Sequence, residues 1–293
     1  MDHVSITNWV KQATNLKEKS FRQAVHIIIH SIAGCDNLRS MMIMKGGILL
    51  AIEYSSSRYT TDIDFSTEEK YDDFQLENFL TDLERGLVLS TETLNYDVTC
   101  KVQSKELKPK NIKNPTTPSL CIKIGYASKS NNREHQRLLK GSAIAIIKLD
   151  YSFNEFNFDT SIMKIDDESS IRVYSLVDLV AEKFRAILQQ VPRNRNRRQD
   201  IYDLNYLIIN YIKYTEYDEL KREILIALKK KSESRGIQAK KFSLRNPEVI
   251  ERSKKEYFTL ANEIEGELPK FEDAYSTLRK FYESLPWNRK VKS

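Results

Sequence analysis

Apolar residues recur along the first 33 positions with the spacing of two helices. Ile6, Trp9, Val10 and Ala13 share one face, and Phe21, Ala24, Val25, Ile28, Ile29 and Ile32 share another, with Gly34 as a C-cap. Met41 to Lys45 is a short apolar run of the kind a buried strand shows. Gly46-Gly47 then breaks it, and Ile48 to Ile52 with Tyr54 forms a helical block that Ser55-Ser56-Ser57 terminates. Asp62-Ile63-Asp64-Phe65 alternates as a strand, and Asp72 to Leu89 has helical period. Three strands are predicted next, Tyr96 to Val102, Ser119 to Tyr126 and Ser142 to Tyr151, with a loop over Lys108 to Pro118 and a polar hairpin over 127–141. A last short strand at 171–174 precedes a change of pattern. From Ser175 the segments 175–190, 199–213, 216–232, 247–264 and 271–284 read as helices, punctuated by Pro192, Gly236, Pro247 and Pro269. The expected architecture is an α/β domain over 1–170, a mixed sheet flanked by helices, followed by an all-helical domain over 171–293.

Composition adds limits. A chain of 293 residues with 40% hydrophobic content can bury a core, and no run reaches the 18 apolar residues of a membrane helix. The N-terminus lacks the basic and apolar regions of a signal peptide, so a cytoplasmic location is expected. Cys35, Cys100 and Cys121 are far apart and lack metal or redox spacing, so they read as small buried hydrophobes. His26 and His30 stand one turn apart without the glutamate of a metalloprotease helix, and read as structural.

The net charge of +6 is unevenly placed. Residues 221–256 hold twelve Lys or Arg against five Glu, Arg193, Arg195, Arg197 and Arg198 cluster between two helices, and Lys129, Arg133, Arg137 and Lys140 lie in the connection between two strands. Such clusters are the electrostatic footprint of a phosphate-rich partner, although Lys229-Lys230-Lys231 by itself fits a solvated helix face better.

The chemistry concentrates between Met41 and Ser66. Glycines where a strand passes into a helix let an anion approach unpaired N–H groups at the positive end of the helix dipole. On the strand that follows, Asp62 and Asp64 point to one face over an apolar underside of Ile63 and Phe65. Two adjacent carboxylates repel unless a cation lies between them, and hard oxygen ligands so placed suit Mg²⁺ bound together with substrate phosphates. Asp150 ends the apolar strand Ile144 to Leu149, where a carboxylate is costly to bury without a cation, so Asp62, Asp64 and Asp150 are the expected metal ligands.

Lys45-Gly46-Gly47 followed by Arg58-x-Thr60-x-Asp62-Ile63-Asp64-Phe65 resembles the first motif of the nucleotidyltransferase superfamily, in the form found in the AbiEii/AbiGii abortive-infection toxins and the related MenT toxins. The resemblance continues through Asp150, through the Lys183 helix (Leu179 to Ala186), and through the Arg-rich loop into Asp200-Ile201-Tyr202-Asp203, covering about residues 20–212 in spaced blocks. It implies catalytic roles for Asp62, Asp64, Lys183 and Asp200. Lys45, Gly46, Gly47, Arg58 and Lys183 would contact NTP, with Mg²⁺ or alternatively Mn²⁺ at the carboxylates and the site in the cleft between the two domains. Asp200 or Asp203 would pin Lys183 or an arginine of the loop, or position the acceptor hydroxyl. The implied activity is transfer of a nucleotide from NTP to RNA, most plausibly the 3′ end of tRNA through the Arg193 to Arg198 cluster, by a toxin that arrests growth or aborts phage infection and is checked by a cognate antitoxin. Two alternatives stand beside it: an NTP-binding interaction protein without transfer activity, and a nucleotidyltransferase acting on a protein or small-molecule hydroxyl.

Overall fold

The computed structural model describes residues 5–109, 118–212 and 217–288. The predicted loop over 108–118 falls largely outside the described residues. By its internal contacts the chain divides into two units, and the division does not follow a single cut. Unit 1 comprises residues up to Ser55, then Thr60–Glu155 and Ser161–Val173. Unit 2 comprises Ser56–Tyr59, Phe156–Thr160 and everything from Tyr174 onward. The border near 170 expected from the change of pattern lies close to the last crossing, but two short excursions at 56–59 and 156–160 belong with the helical unit.

Unit 1 opens with helices α1 (Ile6–Lys11), α2 (Leu16–Ala33) and α3 (Asp36–Met41). The first two begin where local chemistry predicts: the Ser5 side chain accepts the Asn8 N–H, and Asn15 accepts the Glu18 N–H. Strand β1 (Ile43–Lys45) leads directly into α4 (Gly46–Glu53), and β2 (Asp62–Ser66) follows. Helix α5 (Leu76–Thr93) begins four residues later than its period suggests, because Tyr71–Asp73 form a 3₁₀ turn instead. Strands β3 (Val98–Lys108) and β4 (Ser119–Ser128) form a long antiparallel pair with an irregularity between Val102 and Ser104. The polar connection after β4 holds a short helix, α6 (Asn132–Leu139), capped by Asn131, and β5 (Ala145–Ser152) returns beside β4.

Strand β6 (Thr160–Lys164) has no counterpart in the sequence reading, while β7 (Ser170–Tyr174) corresponds to the predicted last strand. The seven strands form one mixed sheet in the order β3-β4-β5-β2-β1-β7-β6. One face is the core: Ile63, Phe65, Ile122, Ile124, Ile147, Leu149 and Tyr151 are all completely buried, as are Val25, Ile28 and Ile32 of α2 and Leu83 of α5. Phe74, Phe79, Tyr151 and Phe153 add a cluster of aromatic rings 4.7 to 5.9 Å apart.

Unit 2 is built on α7 (Leu176–Gln189), α8 (Arg198–Asn210), α9 (Tyr217–Glu233), α10 (Pro247–Lys254) and α11 (Phe271–Glu283). The predicted helix over 247–264 breaks after α10: Glu256 adopts a left-handed backbone and a 3₁₀ turn over Tyr257–Asn262 follows. Phe184, Leu204, Leu228, Leu260, Leu278 and Tyr282 fill the interior of the unit. Lys231, expected on a solvated face, is buried there. Its ammonium pairs with the buried Asp178 at 3.0 Å and donates to the Phe156 carbonyl, while Asp178 accepts the N–H groups of Phe158 and Asp159. The excursion at 156–160 is thereby tied to α7 and α9. No described helix is long and apolar enough to cross a membrane.

Candidate functional site

The first constellation lies on the face of the unit 1 sheet opposite the core. In β2 the residues alternate as the sequence predicts, so Ile63 and Phe65 go to the core and Asp62 and Asp64 to the other face. Strand β5 runs parallel to β2 with Asp64 directly beside Asp150 and Asp62 beside Lys148. Strand β1 brings Lys45 beside Asp64 on the other side. One register row across the sheet therefore reads Lys45, Asp64, Asp150, Cys121, Glu106, and the neighbouring row reads Asp62, Lys148, Lys123, Ser104.

Gly46 closes the first row. Its φ of +80° is a left-handed conformation open to glycine, and a Cβ built there would lie 2.0 Å from a carboxylate oxygen of Asp64. The turn that starts α4 thus runs directly against the Asp64 carboxylate, and any side chain at position 46 would occupy the space beside it. Lys45 carries its ammonium 3.8 Å from Glu155, an acid the sequence reading did not single out. The Lys148 ammonium lies 3.9 Å from Asp62, with about half of each side chain in solvent, so this pair is weak. Cys121 is nearly buried, and its thiol is pushed up from the ordinary range by burial and by the neighbouring Asp150.

Carboxylates at alternate positions of one strand, with a third in register beside them, offer the hard oxygen donors that Mg²⁺ takes. Among the described residues no group of three or more His, Cys, Asp or Glu converges tightly enough to hold an ion by itself. Mg²⁺ is usually bound through one or two carboxylates, with its remaining positions left to water and substrate phosphates. Asp62 and Asp64 are the residues that would hold it, with Asp150 adjacent.

The second constellation is inside unit 2. The Arg58 guanidinium grips Asp203 through two bonds, Nε to Oδ1 at 2.7 Å and a terminal nitrogen to Oδ2 at 2.9 Å. Lys183 Nζ donates to the same Asp203 at 2.6 Å and to Asp200 at 3.0 Å. The spacing of α8 puts Asp200 and Asp203 on one face, and the first turn of α8 adds Arg197 at 4.0 Å from Asp200. Asp203 is fully buried. Burial alone would raise its carboxyl, but Arg58 and Lys183 overcome that and hold it down at about 2. Burial likewise disfavours the Lys183 ammonium, and Asp203 with Asp200 reverses the effect, so Lys183 is raised above its ordinary value.

The segment carrying Arg58 is stapled to the same unit. Arg58 makes an antiparallel bridge with Ile264, Tyr59 N–H donates to the Glu263 carbonyl, and the Ser57 and Tyr202 hydroxyls lie 3.2 Å apart. Of the residues expected to touch nucleotide, Lys45, Gly46 and Gly47 therefore belong to unit 1. Arg58 and Lys183 belong to unit 2 and are engaged by aspartates. Of the candidate RNA-binding arginines, Arg193 and Arg195 are exposed, whereas Arg198 donates to Glu263 at 2.8 Å.

Glu155 and Lys148 are the neighbours that the sequence reading did not assign, whereas Asp203 holds Lys183 as one of its expected roles. Lys148 alone left a signal there, since it stands two residues before Asp150 on an alternating strand.

No curated protein sequence matches the chain. Among solved structures, JHP933 from Helicobacter pylori superposes with a TM-score of 0.52 at 13% identity, over 92% of this chain and 93% of that one, a likeness of fold. A second structure from H. pylori, named as a "putative nucleotidyltransferase", gives 0.49 at 13% identity over 90% and 92%. The family model "Nucleotidyl transferase AbiEii toxin, Type IV TA system" matches residues 31–277, which span both constellations. The chain belongs to the AbiEii family of nucleotidyl transferase toxins.

Proposed function

We propose that the protein transfers a nucleotide from an NTP to the 3′ hydroxyl of tRNA, using Mg²⁺ held by Asp62 and Asp64 in the reducing environment of the cytoplasm. The observation that carries this reading is the row Lys45–Asp64–Asp150, with Gly46 opened against the Asp64 carboxylate. Membership of a type IV toxin–antitoxin family implies a cognate antitoxin, and the consequence of unchecked transfer would be growth arrest or aborted infection.

In this reading the Gly46-Gly47 turn leaves backbone N–H groups at the start of α4 open to phosphate oxygens, and Lys45, steadied by Glu155, adds a positive charge to the same side. The acceptor oxygen forms a bond to the α-phosphorus as the bond to the β-phosphate oxygen breaks. Pyrophosphate leaves with the electron pair, and the hydroxyl proton passes to solvent or to Asp150. A cation held by Asp62 and Asp64 would supply charge neutralisation for the transferring phosphate. Lys183 and Asp200 enter on the family resemblance. Asp200 keeps 13% of its side chain exposed and Asp203 none, so Asp200 is the carboxylate able to exchange its hold on Lys183 for substrate, while Asp203 holds Arg58 in place.

The test is to incubate the purified protein with each α-³²P-labelled NTP, Mg²⁺, and total cellular RNA and protein. Label in the tRNA band that disappears in Asp64→Asn supports the proposal. Label in protein or a small molecule moves the activity to another acceptor, and binding of NTP with no labelled product leaves a nucleotide-binding protein.

A further inference from the structure

The sheet order puts β1, with the Gly46 turn, on one side of Asp62 and Asp64, and β5 and β4 on the other. That opposite side carries an arrangement the proposed chemistry has not used. Lys148 of β5 is the register partner of Asp62 on one side and of Lys123 of β4 on the other. Both lysines are exposed on the polar face of the sheet. Two lysines directly opposite each other across an antiparallel pair repel, and an exposed sheet position tolerates almost any polar residue in their place. Asp62, 3.9 Å from Lys148, is too distant and too hydrated to offset the repulsion of both. A pair of like charges kept where folding gains nothing from it suits an anion that lies across both strands.

Resting on the function proposed above, we infer that Lys148 and Lys123 bind the phosphate backbone of the RNA acceptor next to its reacting 3′ end, on the side of Asp62 and Asp64 away from the Gly46 turn. The charge complementarity is local. In the adjacent row, Asp64 and Asp150 would repel an approaching RNA strand, and the two lysines offset that repulsion one register step away. The track also continues beyond the pair. Lys101, further along β3, donates to the Leu139 carbonyl at the end of α6, the helix that carries Arg133 and Arg137. A strand of RNA following the lysines would leave the carboxylates toward that basic helix.

The experiment measures binding of a fluorescent RNA oligonucleotide with a single-stranded 3′ end across a salt series. It is paired with NTP affinity and with steady-state kinetics in the acceptor, for the parent, Lys123→Gln, the Lys123→Gln/Lys148→Gln double variant, and the double arginine variant. Each lost lysine should flatten the log–log salt slope by about 0.7. Lys123→Gln should raise KM for RNA several-fold while kcat at saturating RNA and NTP affinity stay at parent values, and the arginine variant should restore the slope. Because a repulsive pair is removed, Tm of the double variant should equal or exceed the parent's, which separates loss of binding from loss of fold.

A parent that binds RNA while the double variant keeps its slope and KM overturns this inference alone. Equal loss of NTP affinity would reassign the lysines to the nucleotide and also overturns it. A parent that neither binds nor labels RNA removes the acceptor reading, and this inference falls with it.

Discussion

On the sheet face of unit 1, Asp62 keeps 42% of its side chain in solvent and meets a lysine 3.9 Å away, whereas in unit 2 Asp203 has no exposure and is gripped by Arg58 and Lys183 at 2.6 to 2.9 Å. Both groups are made of aspartates and basic side chains. In the first, Asp64 and Asp150 stand beside one another in register, and Asp62 and Lys148 are both partly hydrated. In the second, Asp200 and Asp203 are met by Lys183, Arg58 holds Asp203, and Arg197 stands 4.0 Å from Asp200, so each buried charge has a partner within the unit. The same residue types are hydrated and set side by side by register on the sheet, and buried and ion-paired in unit 2.

That contrast breaks first, and by the largest factor, in activity at the sheet. Asp64→Asn should lower nucleotide transfer by about three orders of magnitude or more, the scale expected when preorganised charge at the reacting phosphate is lost, with an unfolding midpoint within a degree or two of the parent. An Asp64→Asn protein retaining full turnover would place the chemistry elsewhere.

Asp203→Asn should behave in the reverse way. Removing one partner of a buried ion cluster leaves Arg58 and Lys183 uncompensated and should cost about 3–5 kcal/mol of stability, measured by urea unfolding. The pH dependence follows from the carboxyl held at about 2. Its folded value lies below the unfolded value, so its contribution to stability is complete above about pH 4 and is lost as pH falls toward 2. Asp203→Asn should lack this part of the acid sensitivity, and superimposable acid profiles would show that the cluster does not act in this way.

Gly46→Ala sharpens the comparison, because it inserts one methyl group between backbone and carboxylate. With φ at +80° and Asp64 2.0 Å from the new carbon, it should reduce transfer about a hundredfold and cost about 1–3 kcal/mol of stability. An unaltered kcat/KM would mean that the turn does not approach the site in the working enzyme.

The smallest effect lies outside both constellations. His26 is 2% exposed, hydrogen-bonded to Tyr96 and close to His30; burial and then His30 push it down to about 4, with Asp166 opposing. A folded value below the unfolded one means that stability falls as pH drops from about 6.5 to 4. His26→Gln should remove part of that slope, and histidine NMR titration should find His26 neutral at pH 5.

Much of the sheet site was legible because it obeys local rules. Asp62-Ile63-Asp64-Phe65 alternates, so two acids had to share a face once the hydrophobic pair was buried. Asp150 was legible as a strand-end acid beside them, though not its residue-for-residue register with Asp64, which β2–β5 pairing sets between residues 86 positions apart. The partnership of Arg58 with Asp203, 145 residues apart, leaves no trace in local pattern; the resemblance gave Arg58 an NTP contact, and Asp203 was offered Lys183 or a loop arginine as partner instead. Strand β6 escaped notice because its Ser161 and Ile162 are both exposed, which removes alternation, and α6 did so because one buried residue, Leu138, gives it too little apolar period. The left-handed Glu256 ended α10 without the glycine or proline that announces such a break.

The chain crosses from one unit to the other at 56–59 and 156–160 before it settles into the helices after Tyr174. A gene fragment ending at residue 173 would strand Arg58 without Asp203 and would leave residues 158 and 159 without Asp178; the complementary fragment would lack the same pieces from its own interior. Neither half is therefore a transferable module, and recombination at the compositional border would exchange two incomplete proteins. The chain that supplies Asp62 and Asp64 and the chain that closes around Lys183 are inherited, mutated and lost together.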